Sequence, residues 1–137
     1  MKTLYKAHVH VEGGRDGKAT SNDGLLSVSL SAPKELGGKG GATNPEQLFA
    51  AGYAACFESA LRHVARLEKI SIGETAVDAT VGIGPRDDGG FQLEVALAVK
   101  VAGVDIDTAN KLVQTAHQVC PYSHATRGNI DVRISLA

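Results

Sequence analysis

The chain has 137 residues, a formal net charge of −1, 43% hydrophobic residues and 21% charged residues. These values fit one domain, residues 1–137, and exclude a disordered chain and the positive surface of a nucleic-acid-binding protein. No apolar run approaches the ~20 residues of a membrane helix, and the N-terminal segment lacks the apolar stretch of a signal peptide. We therefore expect a cytoplasmic protein that binds neither nucleic acid nor membranes.

Two strands separated by a glycine turn are predicted near the N-terminus. Residues 4–11 (LYKAHVHV) alternate polar and apolar side chains, as a half-buried strand does. The turn GGRDG follows, and LLSVSLS then predicts the second strand. The next glycine-rich segment, residues 37–41, lacks the GxxxxGK[ST] spacing of a phosphate-binding loop. It is better interpreted as a flexible flap over a pocket.

A long helix is predicted over residues 45–69. Asn44 suits the N-cap, Pro45 the first helical position, and Gln47 the spacing of a capping box. Gly52 is the one weak helix former within it. One apolar face carries Phe49, Tyr53, Cys56, Ala60 and Val64.

The C-terminal half predicts a hairpin, a helix and a last strand. Residues 77–83 and Phe91–Val101 are rich in β-branched residues and flank the turn PRDDGG. Asp105 or Asp107 can cap a second helix, which should end near Cys120 because proline follows. NIDVRISLA predicts the last strand. Because strands and helices do not alternate strictly, the class is α+β with antiparallel sheets.

The two cysteines, Cys56 and Cys120, leave two interpretations open. They are too few for a disulfide scaffold and are not in a CxxC spacing, so they are either buried and inert or a redox pair. A cysteine on an apolar helix face is more often part of a core than a nucleophile. If Cys56 reacts, a cation must lower its pKa, and Arg15 and Arg62 are the candidates.

The histidines do not predict a metal site. His8 and His10 share a strand face, but two ligands without a third partner are a weak signal. We expect no metal and no bound cofactor.

Two long segments and one short one carry a resemblance to a known family. PKELGGKGGATNPEQLFAAGYAACFESAL and AHQVCPYSHATRGNIDVRI, with the shorter GGRDG, resemble the organic hydroperoxide resistance proteins of the osmotically inducible protein C (OsmC) superfamily. The resemblance spans nearly the whole chain. It implies an OsmC-like fold, with antiparallel sheets packed around a long central helix in an intertwined homodimer.

The resemblance also implies a function, that of a cysteine-based peroxidase that reduces organic hydroperoxides to alcohols. Cys56 matches the peroxidatic position and Cys120 the resolving position. Arg15 and Glu46 match the charged pair that activates the thiolate. His124 stands where many relatives have Asn, which could change hydrogen bonding near Cys120.

The implied reaction passes through a sulfenic acid on Cys56 and then a Cys56–Cys120 disulfide, which an external dithiol, a lipoylated protein in this family, must reduce. An apolar channel should hold the organic tail of the substrate, and the candidates to line it are Phe49, Tyr53 and Leu36.

Helix spacing bears on how Glu46 could act. Ten helical positions correspond to about 15 Å along the axis, so Glu46 should not reach Cys56 of its own chain. Either the helix breaks near Gly52, or a partner subunit supplies the Arg15–Glu46 pair. We favour the partner subunit.

Two other function classes stay open. One is a redox sensor or disulfide-exchange protein that uses the same cysteines without turning over peroxide. The other is a small-molecule binder in which both cysteines are structural. Catalytic peroxide consumption separates the first from a peroxidase, and insensitivity to thiol alkylation identifies the second.

Overall fold

The computed structural model describes all 137 residues, which form two units, Met1–Leu48 and Phe49–Ala137. The boundary lies inside the first α-helix, α1 (Pro45–Leu67). None of the helices is both long and apolar enough to cross a membrane.

The first unit contains a small antiparallel sheet of β1 (Val9–Glu12), β2 (Lys18–Ser21) and β3 (Ser27–Ser29), in that order. The strand predicted over residues 4–11 begins only at Val9. The reason is that its partner β2 has four residues and pairs with Val9–Glu12 alone. The alternating residues before it, such as Leu4, stay exposed. Sequence analysis missed β2, whose segment KATS is short and mostly polar.

This unit also contains two short 3₁₀ helices, one within a glycine turn and one directly before the glycine-rich residues 37–41. One is Gly14–Asp16, inside the turn GGRDG, and the other is Lys34–Leu36. A Cβ on Gly17 would lie 1.6 Å from the carbonyl oxygen of Glu12, so only glycine fits at the exit of the turn. This close approach fixes the turn that carries Arg15.

The long helix α1 begins where predicted. The Asn44 side chain accepts a hydrogen bond from the N–H of Gln47 at 2.9 Å. The Gln47 side chain accepts from the Thr43 hydroxyl at 2.6 Å, and so departs from the usual capping box. The helix runs unbroken through Gly52 to Leu67, two residues short of the prediction.

The second unit contains a three-stranded sheet with the order β4-β5-β6. The predicted hairpin is confirmed: β4 (Thr75–Pro85) pairs antiparallel with β5 (Phe91–Val101). The last strand, β6 (Val132–Leu136), pairs parallel with β5, which corrects the prediction of purely antiparallel sheets. A parallel pair needs a long crossover connection, and two helices supply it here.

These two helices are α2 (Ile106–Val119) and α3 (Pro121–Thr126). Asp105 is the N-cap of α2, and its side chain accepts from the N–H of Thr108 at 2.7 Å. The short α3 is an element that sequence analysis missed.

The main core lies in the second unit, where α1 packs against β5 and α2. Its largest fully buried side chains include Tyr53, Phe57, Leu61, Leu97 and Leu112. The α+β class predicted from the sequence is confirmed.

Candidate active site

The two cysteines meet in the second unit. Cys56 is half-buried on α1, Cys120 is completely buried between α2 and α3, and both are free thiols. The Cys120 thiol lies close enough to the Cys56 thiol to raise its pKa. The fold therefore brings close together the two cysteines that sequence analysis singled out.

Pro121 explains the backbone conformation of Cys120. A residue before proline is driven into an extended conformation, and Cys120 has φ −62° and ψ 123°. Its N–H still donates to the carbonyl of Ala116 at 2.8 Å, while its own carbonyl accepts from the N–H of His124 at 3.0 Å. Cys120 therefore occupies a tight corner with its main chain bonded on both sides.

The surroundings of Cys56 in this unit favour the neutral thiol. Burial raises the pKa of Cys56, and the contact with Cys120 raises it further. A hydrogen bond with the backbone of Tyr122 acts in the opposite direction and lowers the pKa. Arg62, one of the two candidate cations, is bound to Glu58 at 2.6 Å on the outer part of the helix.

The other predicted pair is formed in the first unit. Two parallel hydrogen bonds join the Arg15 guanidinium to the Glu46 carboxylate, at 2.8 Å and 2.6 Å. The bond to Arg15 lowers the pKa of Glu46, and the bond to Glu46 raises the pKa of Arg15. Both groups are therefore charged at neutral pH, and the two-point contact fixes the plane of the guanidinium.

An open cleft of about 610 Å³ lies in the second unit beside the cysteines. Tyr122 links the two, because it lines the cleft and its backbone is close enough to Cys56 to lower the pKa of that thiol. The cleft is lined mostly by apolar and aromatic side chains, among them Phe49, Phe91, Leu93, Pro121, Tyr122 and Ile130.

The three residues predicted to bind substrate have different surroundings. Phe49 lines the cleft, and its ring meets that of Tyr122 edge-on with centroids 6.0 Å apart. Tyr53 is completely buried and is not among the lining residues. Leu36 belongs to the first unit, where it is 46% exposed, and its role stays a prediction.

Gly52 has a steric role in the wall of the cleft. A Cβ at this position would lie 2.6 Å from the hydroxyl oxygen of Tyr122 and 3.1 Å from the ring carbon that carries it. Any residue larger than glycine at position 52 would therefore force the Tyr122 side chain to move.

Sequence analysis missed a buried polar cluster next to Cys120. It consists of Tyr53, Ser123, Thr126 and His117, joined through their side chains. A signal for it was available, because a tyrosine on a buried helix face needs a partner for its hydroxyl. The apolar spacing on α1 and the family resemblance predict for Tyr53 only a place on the apolar face and in the substrate channel.

Comparison with known proteins decides the family. Residues 38–135 match the model of the family described as OsmC-like protein. The organic hydroperoxide resistance protein of Xanthomonas axonopodis pv. citri is 55% identical over 99% of this chain and 96% of its own length. The chain belongs to the organic hydroperoxide resistance proteins of the OsmC superfamily.

Solved structures of this family agree with the fold. An organic hydroperoxide resistance protein from Legionella pneumophila has a TM-score of 0.97 and 51% identity, and the match covers 99% of each chain. The organic hydroperoxide resistance protein OhrB of Bacillus subtilis has a TM-score of 0.90 and 45% identity, over 98% of this chain and 100% of its own. The OsmC-like fold expected from the sequence is therefore confirmed.

His124, which stands where many relatives have Asn, lies at the surface. The side chain of His124 is exposed, and the backbone N–H that it contributes to Cys120 is available from any residue except proline.

Proposed function

We propose that this protein is a thiol peroxidase that reduces organic hydroperoxides to alcohols, with Cys56 as the peroxidatic and Cys120 as the resolving cysteine. The observation that carries the proposal is the proximity of the two thiols, one half-buried and one fully buried, near an apolar cleft. The names of the relatives support the substrate class.

The chemistry follows from these two residues. The Cys56 thiolate attacks the distal oxygen of the hydroperoxide, the O–O bond breaks, and the alkoxide leaves as an alcohol after taking a proton. Cys56 is then a sulfenic acid. The Cys120 thiol attacks its sulfur, a disulfide forms and water leaves. An external dithiol returns both cysteines to thiols, and in our proposal a lipoylated protein supplies it.

The thiolate needs a positive neighbour, because burial and Cys120 both raise the pKa of Cys56. We assign this role to Arg15, which Glu46 holds by two hydrogen bonds. A neighbouring cation lowers the pKa of a thiol, which increases the fraction of Cys56 present as thiolate near neutral pH.

A homodimer follows as part of the proposal. The helix α1 does not break at Gly52, so one of the two alternatives for Glu46 is wrong. Ten residues of continuous helix span about 15 Å, beyond the reach of a glutamate. We therefore propose that the Arg15–Glu46 pair of one copy of the chain serves Cys56 of a second copy.

The cleft suits the organic part of the substrate. Its volume of about 610 Å³ and its aromatic walls are typical of a small-molecule site. Hydrogen peroxide would gain nothing from these walls. The test is steady-state consumption of cumene hydroperoxide and of hydrogen peroxide with dihydrolipoamide as the reductant.

We expect kcat/KM for cumene hydroperoxide to exceed that for hydrogen peroxide by about 10²-fold or more, since burying an aryl group is worth roughly 2–3 kcal/mol. Equal values would refute the role of the cleft. Absence of turnover with any dithiol would refute the peroxidase and favour a redox sensor or a binder.

The contact of Gly52 with Tyr122 gives a second prediction. In a Gly52→Ala variant the new methyl group displaces the Tyr122 ring, while the helix gains up to about 1 kcal/mol of propensity. The KM for cumene hydroperoxide should rise by about 5-fold with little loss of thermal stability, because a poorly fitting pocket wall costs about 1 kcal/mol or more. Gly84→Ala, whose methyl group meets open space, is the control and should keep the native KM. A native KM in Gly52→Ala would contradict the prediction.

A further inference from the structure

Next to Cys120, one set of buried hydrogen bonds joins α1, α2 and α3. The Tyr53 hydroxyl lies 2.9 Å from the Ser123 hydroxyl and 3.1 Å from the Thr126 hydroxyl. The Ser123 hydroxyl also lies 2.8 Å from Nδ1 of His117. Tyr53 and Ser123 are completely buried. None of these side chains has a role in the reaction proposed above.

The set surrounds the corner that carries the resolving cysteine. His117 and Ser123 lie three residues before and after Cys120, so the bond between them closes the corner. The guanidinium of Arg127, the residue that follows α3, donates to the carbonyl of His117 at 2.9 Å and so joins the end of α3 to α2. The two helices are thereby held at a fixed angle on either side of the cysteine.

The same set reaches the helix of the peroxidatic cysteine. Tyr53 lies three residues before Cys56 on α1, and residues at this spacing are neighbours on the helix surface. Tyr53 bonds to Ser123 and Thr126, both of which belong to α3. Of these two hydroxyls, that of Ser123 also bonds to His117, so it connects the helix that carries Cys56 to both sides of the corner that carries Cys120.

Disulfide formation is sensitive to such a connection. The bond requires Cα atoms about 4.4–6.8 Å apart and a narrow range of dihedral angle, so small displacements of the corner slow it. Buried hydroxyls that lose a partner also cost free energy, which keeps a fully bonded set in one arrangement. The Tyr53, Ser123 and Thr126 hydroxyls all have partners here.

We propose that Ser123, bonded to Tyr53 and His117, is a positioning residue that holds Cys120 against Cys56 and so sets the rate and equilibrium of their disulfide. The inference rests on the proposed function. The step it governs is the attack of the Cys120 thiol on the sulfenic sulfur of Cys56: the S–S bond forms, the S–O bond breaks, and the hydroxyl leaves as water with the Cys120 proton. The hydroperoxide consumed in the preceding step is the oxidant.

The test compares Ser123→Ala with the wild type in two measurements. The first is the equilibrium of the Cys56–Cys120 disulfide against a dithiol redox buffer. The second is single turnover with cumene hydroperoxide, in which sulfenic acid formation and disulfide formation are timed separately by rapid alkylation and mass spectrometry.

In Ser123→Ala we expect the effective concentration of the Cys120 thiol at Cys56 to fall about tenfold. The reduction potential of the Cys56–Cys120 disulfide should then be about 30 mV less negative. Disulfide formation should slow by about tenfold, while sulfenic acid formation stays within about twofold of the wild-type rate. Because the sulfenic acid persists, over-oxidation to the sulfinic acid should rise in excess hydroperoxide.

Two further variants separate positioning from general stability. Tyr53→Phe keeps the ring and removes only the hydroxyl. The reduction potential should shift in the same direction by roughly a third as much, because the Ser123–His117 bond remains. If Ser123→Ala fails to fold, Tyr53→Phe tests whether the set positions Cys120. Val113→Ala trims a core residue of α2 outside the set, and should lower the melting temperature without moving the potential.

A wild-type potential and disulfide rate in a folded Ser123→Ala, or in Tyr53→Phe if the alanine variant does not fold, would overturn the inference. An equal shift of potential in Val113→Ala would also overturn it. If the wild type itself forms no Cys56–Cys120 disulfide, the proposed function fails instead, so the two failures are distinguishable.

Discussion

A Cys56→Ser variant is expected to lose organic hydroperoxide turnover by a factor on the order of 10⁴ or more, because a serine hydroxyl does not ionise near neutral pH and cannot form a sulfenic acid. Cys56 is the more exposed of the two thiols, which is why we assign it the attack on the substrate. The measurement is the rate of cumene hydroperoxide consumption with dihydrolipoamide.

Cys120→Ser is the matched control. It keeps the attacking thiolate, so the first equivalent of hydroperoxide should still be reduced at the wild-type rate, but no Cys56–Cys120 disulfide can follow. Cys56 should then accumulate as sulfenic and sulfinic acid. Wild-type turnover in Cys56→Ser would refute the role of Cys56. Loss of the first equivalent of reduction in Cys120→Ser alone would reverse the roles of the two cysteines.

Removing the guanidinium of Arg15 is expected to have the second-largest effect. In Arg15→Ala the Cys56 thiolate loses the cation that we assign to it, so the pKa of Cys56 should rise and kcat/KM at pH 7 should fall by about 10²-fold. The sign follows from the ionisation: a higher thiol pKa leaves less thiolate at neutral pH, and activity then recovers as the pH increases. The pH–rate profile of Arg15→Ala should therefore shift to higher pH.

The control is Arg62→Ala, which removes an arginine of α1 that is already bound to Glu58. It should keep both the rate and the pH profile of the wild type. An unshifted profile in Arg15→Ala, or the same shift in Arg62→Ala, would contradict the role assigned to Arg15.

The same variants test whether the pair acts between subunits. A mixed dimer of one Cys56→Ser chain and one Arg15→Ala chain should regain about half the native activity, because the intact Cys56 then faces the intact Arg15 of the other copy. If the pair acted on its own chain, the mixed dimer would stay inactive.

The sequence predicted the elements that depend on local patterns. The cap at Asn44, the hairpin at residues 86–90 and the end of α2 before Pro121 each follow from turn and cap residues that act within a few positions. The identities of the paired cysteines and of Arg15 and Glu46 came instead from the resemblance to a family. Composition alone does not distinguish a redox pair from two buried, inert cysteines.

The features that escaped prediction depend on distant partners. β2 and the late start of β1 are decided by which segments pair, and the parallel β5–β6 contact depends on the path of two intervening helices. The bonded set at Tyr53 joins residues about seventy positions apart in the chain. A periodic pattern on one helix cannot show which side chain of another helix meets a buried hydroxyl.

The parallel pairing of β5 and β6 has a consequence for how the chain folds during synthesis. The β4–β5 hairpin can close as soon as residue 101 has left the ribosome, but the strand that covers its open edge begins only at residue 132. Until then β5 presents an unpaired edge and the core side chains Val95, Leu97 and Val99. Slow translation of the segment that encodes α2 and α3 would lengthen the interval in which nascent chains can aggregate through this edge.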